Sequence, residues 1–287
     1  MTMKPANWLA IIYLLVLNFQ LLAQGNLLVT PKRVVFEGRQ QQAELNLMNI
    51  GADTATFSVS FRHYNMTEQG KLVLNEKPDS SQMFADPYIR IYPRVVILAP
   101  NESQIVVLQY RRKATMAEGE YRSHIWFRSE KDYEALAKEK VSADSSRMSV
   151  SVVAIFGITI PVIIRVGQVN VSATISEFKL NSQQVNSKEL HFTIHREGNY
   201  SVYGNVIVEC VPEKGNPFQI GIVKSLGIYT NIEKRRVIVR LKYPSGRSPE
   251  NGKLRIRFTS PDEEKFAIYA EEVISMVELE KMNKIIL

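Results

Sequence analysis

Cysteine is almost missing from this sequence: Cys210 stands alone among 287 residues. A chain with one cysteine cannot close an internal disulfide, so its stability has to come from packed cores. For an exported chain, that suits a bacterial periplasm or cell surface better than a small stapled extracellular module. Cys210 shares the alternate-residue face of Val206 and Val208 in NVIVECV, which reads as a small buried hydrophobe rather than a nucleophile. Dense charge is lacking too. The formal net charge is +7, yet Lys and Arg nowhere gather into a tract interleaved with aromatics, which argues against nucleic acid as a partner.

The usual carriers of chemistry are equally sparse. There is no Gly-rich phosphate loop, no nucleophile elbow and no pair of carboxylates in a catalytic context. Of the four histidines, His191 and His195 have the i, i+4 spacing that shares a ligand on a helix. On a strand the same spacing separates them by about 13 Å, too far for one zinc ion. The expectation is a protein that is not an enzyme, with no cofactor and no metal. An enzyme would need a polar pocket converging from distant segments, as in a cleft between domains.

What is present begins with MTMKPANWLAIIYLLVLNFQLLAQG, one positive charge (Lys4) followed by an apolar run from Trp8 to Leu22. This is the pattern of a secretory signal peptide, residues 1–25, with small residues Ala23 and Gly25 before the cut. Cleavage after Ala23 and an uncleaved anchor are the alternatives, the latter disfavoured because the run is short for a spanning helix. The expected location is the periplasm.

Beyond the signal the apolar residues alternate. Ala43, Leu45 and Leu47 share one face of AELNLMNI; Ala55, Phe57, Val59 and Phe61 do so in ATFSVSFRH. Tyr121, Ser123, Ile125 and Phe127 follow in EYRSHIWFRS. The pattern restarts after Gly167 with Leu190, Phe192 and Ile194, then Val237, Val239 and Leu241, then Leu254, Ile256 and Phe258. Period-two alternation marks strands buried on one face, and NIGAD, LAPNES and YPSGRSPENG supply turns between them. Only YEALAKEK and ELEKMNK look helical. The fold class is all-β, two β-sandwich domains of residues 26–166 and 167–277, with a polar tail over 278–287.

One segment breaks the pattern. VSVVAIFGITIPVIIR, residues 150–165, is apolar on both parities, and the polar stretch EKDYEALAKEKVSADSS precedes it. A strand apolar on both faces must be covered on both; left at an edge it invites pairing with another chain. The bland alternative is a central strand of the domain's own core.

The surrounding motifs bear on that choice. TPKRVVFEG (residues 30–38) resembles the opening strand of the PapD-like periplasmic pilus chaperones, and AELNLMNIG resembles their second strand. VVILAPNESQIVVLQYR and GEYRSHIWFRS continue the likeness in the family's order, over residues 27–166. The resemblance implies two immunoglobulin-like domains in a boomerang arrangement. It also implies that the chain caps pilus or other surface-fibre subunits by donating an edge strand, and passes them to an outer-membrane usher. Val150, Val152, Ala154, Phe156 and Ile158 would form the donated strand, and Arg33 would hold the subunit's C-terminal carboxylate. Independently of the resemblance, an exposed edge of this kind would let the free chain cap itself as a homodimer through the ribbon. The sequence departs from the family at Pro161, which stands where the donated strand usually carries a lysine that also grips the carboxylate. Lys32, Arg94 and Arg165 are the candidate substitutes. The alternative function is a structural or adhesive β-sandwich protein of the cell envelope, in which the ribbon is internal.

Overall fold

A computed structural model describes residues 27–79, 82–130, 156–184, 187–244, 252–261 and 267–279. The expected signal peptide, the polar stretch before the ribbon, and Val150, Val152 and Ala154 lie outside the described residues, as does YEALAKEK.

The first half runs β1 (Leu27–Thr30), β2 (Val34–Phe36), β3 (Gln42–Asn49), β4 (Ala55–Arg62), β5 (Tyr64–Met66) and β6 (Leu72–Leu74). It continues with β7 (Ile89–Tyr92), β8 (Val95–Leu98), β9 (Ser103–Tyr110), β10 (Gly119–Glu130) and β11 (Gly157–Val166). A sheet of order β1-β3-β9-β7 faces one of order β2-β11-β10-β4-β8, and β5–β6 is a separate hairpin. The alternating residues meet between the sheets: Leu45, Leu47, Val106 and Leu108 from one, Phe57, Val59, Ile125, Phe127, Val162 and Ile164 from the other. Two strands switch sheets where proline, lacking an N–H, interrupts the ladder. β1 gives way to β2 after Pro31, and β7 to β8 after Pro93.

Asn49, at the end of β3, shows how a turn is fixed. It is fully buried, and its side-chain amide donates to the carbonyls of Leu98 (2.9 Å) and Asp53 (2.8 Å) while its oxygen accepts from the Gly51 N–H (2.9 Å). Every polar atom of the buried amide is used, as burial demands.

The second half comprises β12 (Val171–Gln184), β13 (Ser187–Gly198), β14 (Val202–Val211), β15 (Phe218–Ile228), β16 (Lys234–Leu241), β17 (Lys253–Thr259) and β18 (Ile268–Ser275). Here β12-β13-β16 faces β15-β14-β17-β18. Leu190, Phe192, Ile194, Val237 and Val239 meet Val206, Val208, Leu254, Ile256 and Phe258 in a second core. The molecule is thus all-β, built as two β-sandwiches. Cys210 lies in the second core, 1% exposed, and burial pushes its thiol pKa up. That core reaches further along the chain than a polar tail from 278 allows. A turn of helix over 276–279 places Met276 and Leu279 inside it, Leu279 with no exposure.

Candidate functional site: an open strand edge and a charged junction

β11 has two halves with different surroundings. Along its whole length it pairs antiparallel with β10, from Gly157 opposite Arg128 to Val166 opposite Gly119. On its other side it pairs with β2, in parallel, only over Val162–Ile164. Among the described residues nothing pairs with that side from Gly157 to Pro161, so this half is a sheet edge.

The backbone direction at each residue follows from one bond. The Ser129 N–H donates to the Phe156 carbonyl (2.9 Å), so even-numbered residues of β11 face β10. Odd-numbered residues face the opposite way: Ile163 toward β2, Gly157 and Thr159 toward open space. Pro161 is in the odd set. Its missing N–H therefore costs no bond to β10, and the ladder with β10 runs through it opposite His124. On the β2 side, pairing begins at the residue after the proline.

Burial follows the same division. Ile160, Val162, Ile163, Ile164 and Val166 are buried, whereas Phe156 is 39% exposed and Ile158 is half-buried against the first core. Gly157 makes room for a neighbour: a Cβ there would fall 2.4 Å from Trp126 Nε1 and 3.0 Å from the Phe127 carbonyl. The indole thus lies over the open half of β11, stacked under the Arg62 guanidinium at 4.2 Å.

The other end of β11 enters a junction between the sandwiches. Glu120, from β10, has a fully buried side chain and is its centre. Its Oε2 accepts from the Ser201 N–H (2.8 Å) and Ser201 hydroxyl (2.6 Å), with Arg165 Nε at 3.6 Å; its Oε1 lies 3.5 Å from Arg122 Nη1. Arg122 also donates to Thr230 and Asn231 of the second sandwich and stacks on Tyr229 at 3.9 Å. Arg165 donates to the Ser201 carbonyl (3.0 Å). Arg33 is half-buried beside them, donating to the Ser201 hydroxyl (3.2 Å) and stacking on Tyr203 at 4.7 Å. Burial lowers the pKa of Arg33 and of Arg122, and the Glu120 charge opposes that shift in both. Arg165 also donates to Glu37 Oε2 (3.4 Å), so three guanidinium groups face two carboxylates.

His124, next along β10, is 1% exposed between Tyr64 and Tyr229, with Nε2 at 3.4 Å from the Tyr229 hydroxyl. Burial, then the charges of Arg122, His63 and Arg33, hold its pKa down at about 3. One cluster has the residue types of a hydrolase triad but not its arrangement. The Ser123 hydroxyl donates to Asp86 Oδ1 (2.6 Å), His63 Nε2 reaches the same oxygen (2.8 Å), and Ser123 accepts from the N–H of Ala85 (3.0 Å). The serine is bonded to the acid rather than to the base, so nothing there activates it. His195 is bonded to Ser176 (2.7 Å) and His191 to Asn181 (3.2 Å), each as a satisfied strand residue.

Of the sequence-derived site residues, the structure brings Arg33 and Arg165 together, and places Phe156 and Ile158 on the open half of β11. Lys32 is exposed outside β2, and Arg94 is exposed at the β7–β8 crossing, neither in a described junction contact. Glu120 and Arg122 were missed, although both lie in the quoted GEYRSHIWFRS. Their one signal was charge at strand positions flanking Tyr121, which reads as a solvated face until a second sandwich covers it.

No family model matches the sequence, and no curated protein matches it. Among solved structures the chain is similar to the YadV chaperone, with a TM-score of 0.41 and 9% identity, covering 88% of this chain and 100% of that one. It is similar to the CupB2 chaperone of Pseudomonas aeruginosa, with a TM-score of 0.42 and 10% identity over 86% of this chain and 99% of that one. A third likeness is to the CsuC–CsuE chaperone-tip adhesion subunit complex of Acinetobacter baumannii, from archaic chaperone-usher Csu pili. There the TM-score is 0.41 and the identity 13%, over 88% of this chain and 98% of that one.

Proposed function

We propose that this chain is a periplasmic, non-enzymatic chaperone that caps subunits of pili or other surface fibres by lending them the open half of β11. The observation that carries the proposal is the asymmetry of that strand: among the described residues it is paired on both sides over Val162–Ile164, and on one side only over Gly157–Pro161. A client strand added there gains main-chain bonds from Gly157 and Thr159, and its ladder ends at Pro161, which has no N–H to give. Phe156 and Ile158 are the lent side chains within the described residues, and Val150, Val152 and Ala154 extend the same parity toward the N terminus. Each large apolar side chain that enters a client groove contributes about 1.5–3 kcal/mol.

The client's C-terminal carboxylate would be drawn to the junction, where three guanidinium groups, Arg33, Arg122 and Arg165, face two carboxylates, the buried Glu120 and the exposed Glu37. This arrangement replaces the lysine that the family places at the position of Pro161. A guanidinium fork suits a carboxylate better than a point charge does. An outer-membrane usher and a self-capping homodimer through the β11 edge are the further partners of this reading.

The test is co-purification of the chain with the secreted β-protein encoded beside it. Thr159→Pro removes an outward N–H and leaves the β10 ladder intact, so the free chain should stay folded. The unaltered chain should yield a 1:1 complex, and Thr159→Pro combined with Phe156→Asp should lose it. A complex that survives both changes would mean that the edge of β11 lends nothing.

A further inference from the structure

The β5–β6 hairpin belongs to neither sheet of the first sandwich. Two strands of three residues each do not hold together in water on their own. Burial of β6 does not supply what is missing, because Leu72, Val73 and Leu74 are all exposed. The root of the hairpin is closed within the first half of the chain. There the Asn75 N–H donates to the His63 carbonyl (2.8 Å), and the Asn75 side-chain amide donates to Gln82 Oε1 (2.7 Å). The tip is held by the other sandwich.

From Met66 onward the outer edge of β5 is occupied. Asn231 makes the two bonds that a neighbouring strand would make. Its amide donates to the Met66 carbonyl (2.9 Å), and its oxygen accepts from the Met66 N–H (3.3 Å). Two residues on, the Glu68 carbonyl accepts from the Arg236 N–H (2.8 Å), on the side of β16 away from β13. The Glu68 carboxylate adds an ion pair with Arg236 (3.1 Å). Both of those side chains are exposed, so the ion pair contributes little, and the main-chain bonds matter more.

Packing follows the hydrogen bonds. Met66 is buried, and its methyl group reaches β15, where a Cβ on Gly227 would lie 3.9 Å from it. Gly70, at φ of 78°, lies flat over the Arg235 guanidinium, where any Cβ would collide with it. Relative motion is the default for two domains of one chain unless their interface resists it. Here one attachment is the Glu120–Ser201 cluster, beside the link of residues 167–170. The hairpin makes a further attachment, to β15, β16 and the turn between them. A single attachment leaves the second sandwich free to swing, whereas two fix its angle.

We propose that the β5–β6 hairpin is a strap that fixes the angle between the two sandwiches. Its tip adds the edge of β5 to Asn231 and β16, as a peptide adds a strand to a sheet edge, but within one chain. Released from that edge, the second sandwich swings on the Glu120 cluster and the link of residues 167–170. The strap acts whether or not β11 lends its edge to a client.

The test is a distance between the sandwiches, read by double electron–electron resonance on the full chain. Spin labels go on Glu44→Cys of β3 and Lys224→Cys of β15, both exposed positions, with the buried Cys210 replaced through Cys210→Ala. With the strap intact the distance distribution should be single and narrow. Gly70→Val drives the tip off Arg235, and Arg236→Pro removes the N–H and the ion pair at an edge position that tolerates proline. Each should widen the distribution about twofold or more. Gly70 lies outside both cores, so Gly70→Val leaves each sandwich folded, and its result decides. A broad distribution with the strap intact, or one that Gly70→Val leaves unchanged, would overturn the proposal and make the hairpin a mere surface contact.

Discussion

Glu120 and His124 sit four residues apart on β10, buried at the same junction, and differ in what surrounds them. Glu120 is held by Ser201 and by the arginines around it. His124 has only the Tyr229 hydroxyl, and its Nδ1 has no partner, so protonation there would put a charge into a buried site already ringed by arginines. Its folded pKa of about 3 lies below the 6.5 of an unfolded histidine. Between those values the unfolded chain binds the extra proton, so this contribution to stability is complete above about pH 6.5 and is lost as the pH falls toward 3. The slope is at most about 1.4 kcal/mol per pH unit. Urea denaturation from pH 7 to pH 4 should show that loss, and His124→Phe, which keeps a ring between Tyr64 and Tyr229, should flatten it.

At the scale of the element, β11 is divided by its partners rather than by its own sequence. Apolar residues run through both halves, so periodicity alone could not say which side chains face a core and which face an empty edge. Pro161 was the legible mark, and its position in the odd set explains why a proline is tolerated inside a ten-residue strand. Gly157 was not legible as a packing residue, because its reason is an indole from the neighbouring strand. Gly157→Val should force Trp126 off the strand and from under Arg62, at a cost of about 1–3 kcal/mol. The chain has two tryptophans, Trp8 in the expected signal and Trp126, so the fluorescence of a chain beginning after residue 25 reports on this contact alone. A shifted emission maximum in Gly157→Val is the expected outcome.

At the scale of the molecule, the alternating pattern revealed both cores: the residues it selected in β13, β16 and β17 are buried, as are Leu45, Leu47, Phe57 and Val59 in β3 and β4, with Ala43, Ala55 and Phe61 partly buried against the first core. It was silent wherever one sandwich covers another. Ile163 is buried on the face that alternation assigns to solvent, and Glu120, Arg122 and His124 read as surface charge until Ser201, Tyr229 and Asn231 close over them. Local pattern specifies which face of a strand is apolar; contacts distant in sequence decide what covers it.

The most direct measurement is residue-resolved amide hydrogen exchange along β11, in the chain alone and in complex with its client. In the free chain Gly157 and Thr159 should exchange rapidly, while Ile158 and Ile160, bonded to β10, and Ile163, bonded to β2, are protected. On binding the client, protection should rise at Gly157 and Thr159 and stay unchanged at Ile163. Protection of Gly157 and Thr159 in the free chain equal to that of Ile163 would make the whole ribbon an internal strand, and the lending of its edge would be refuted.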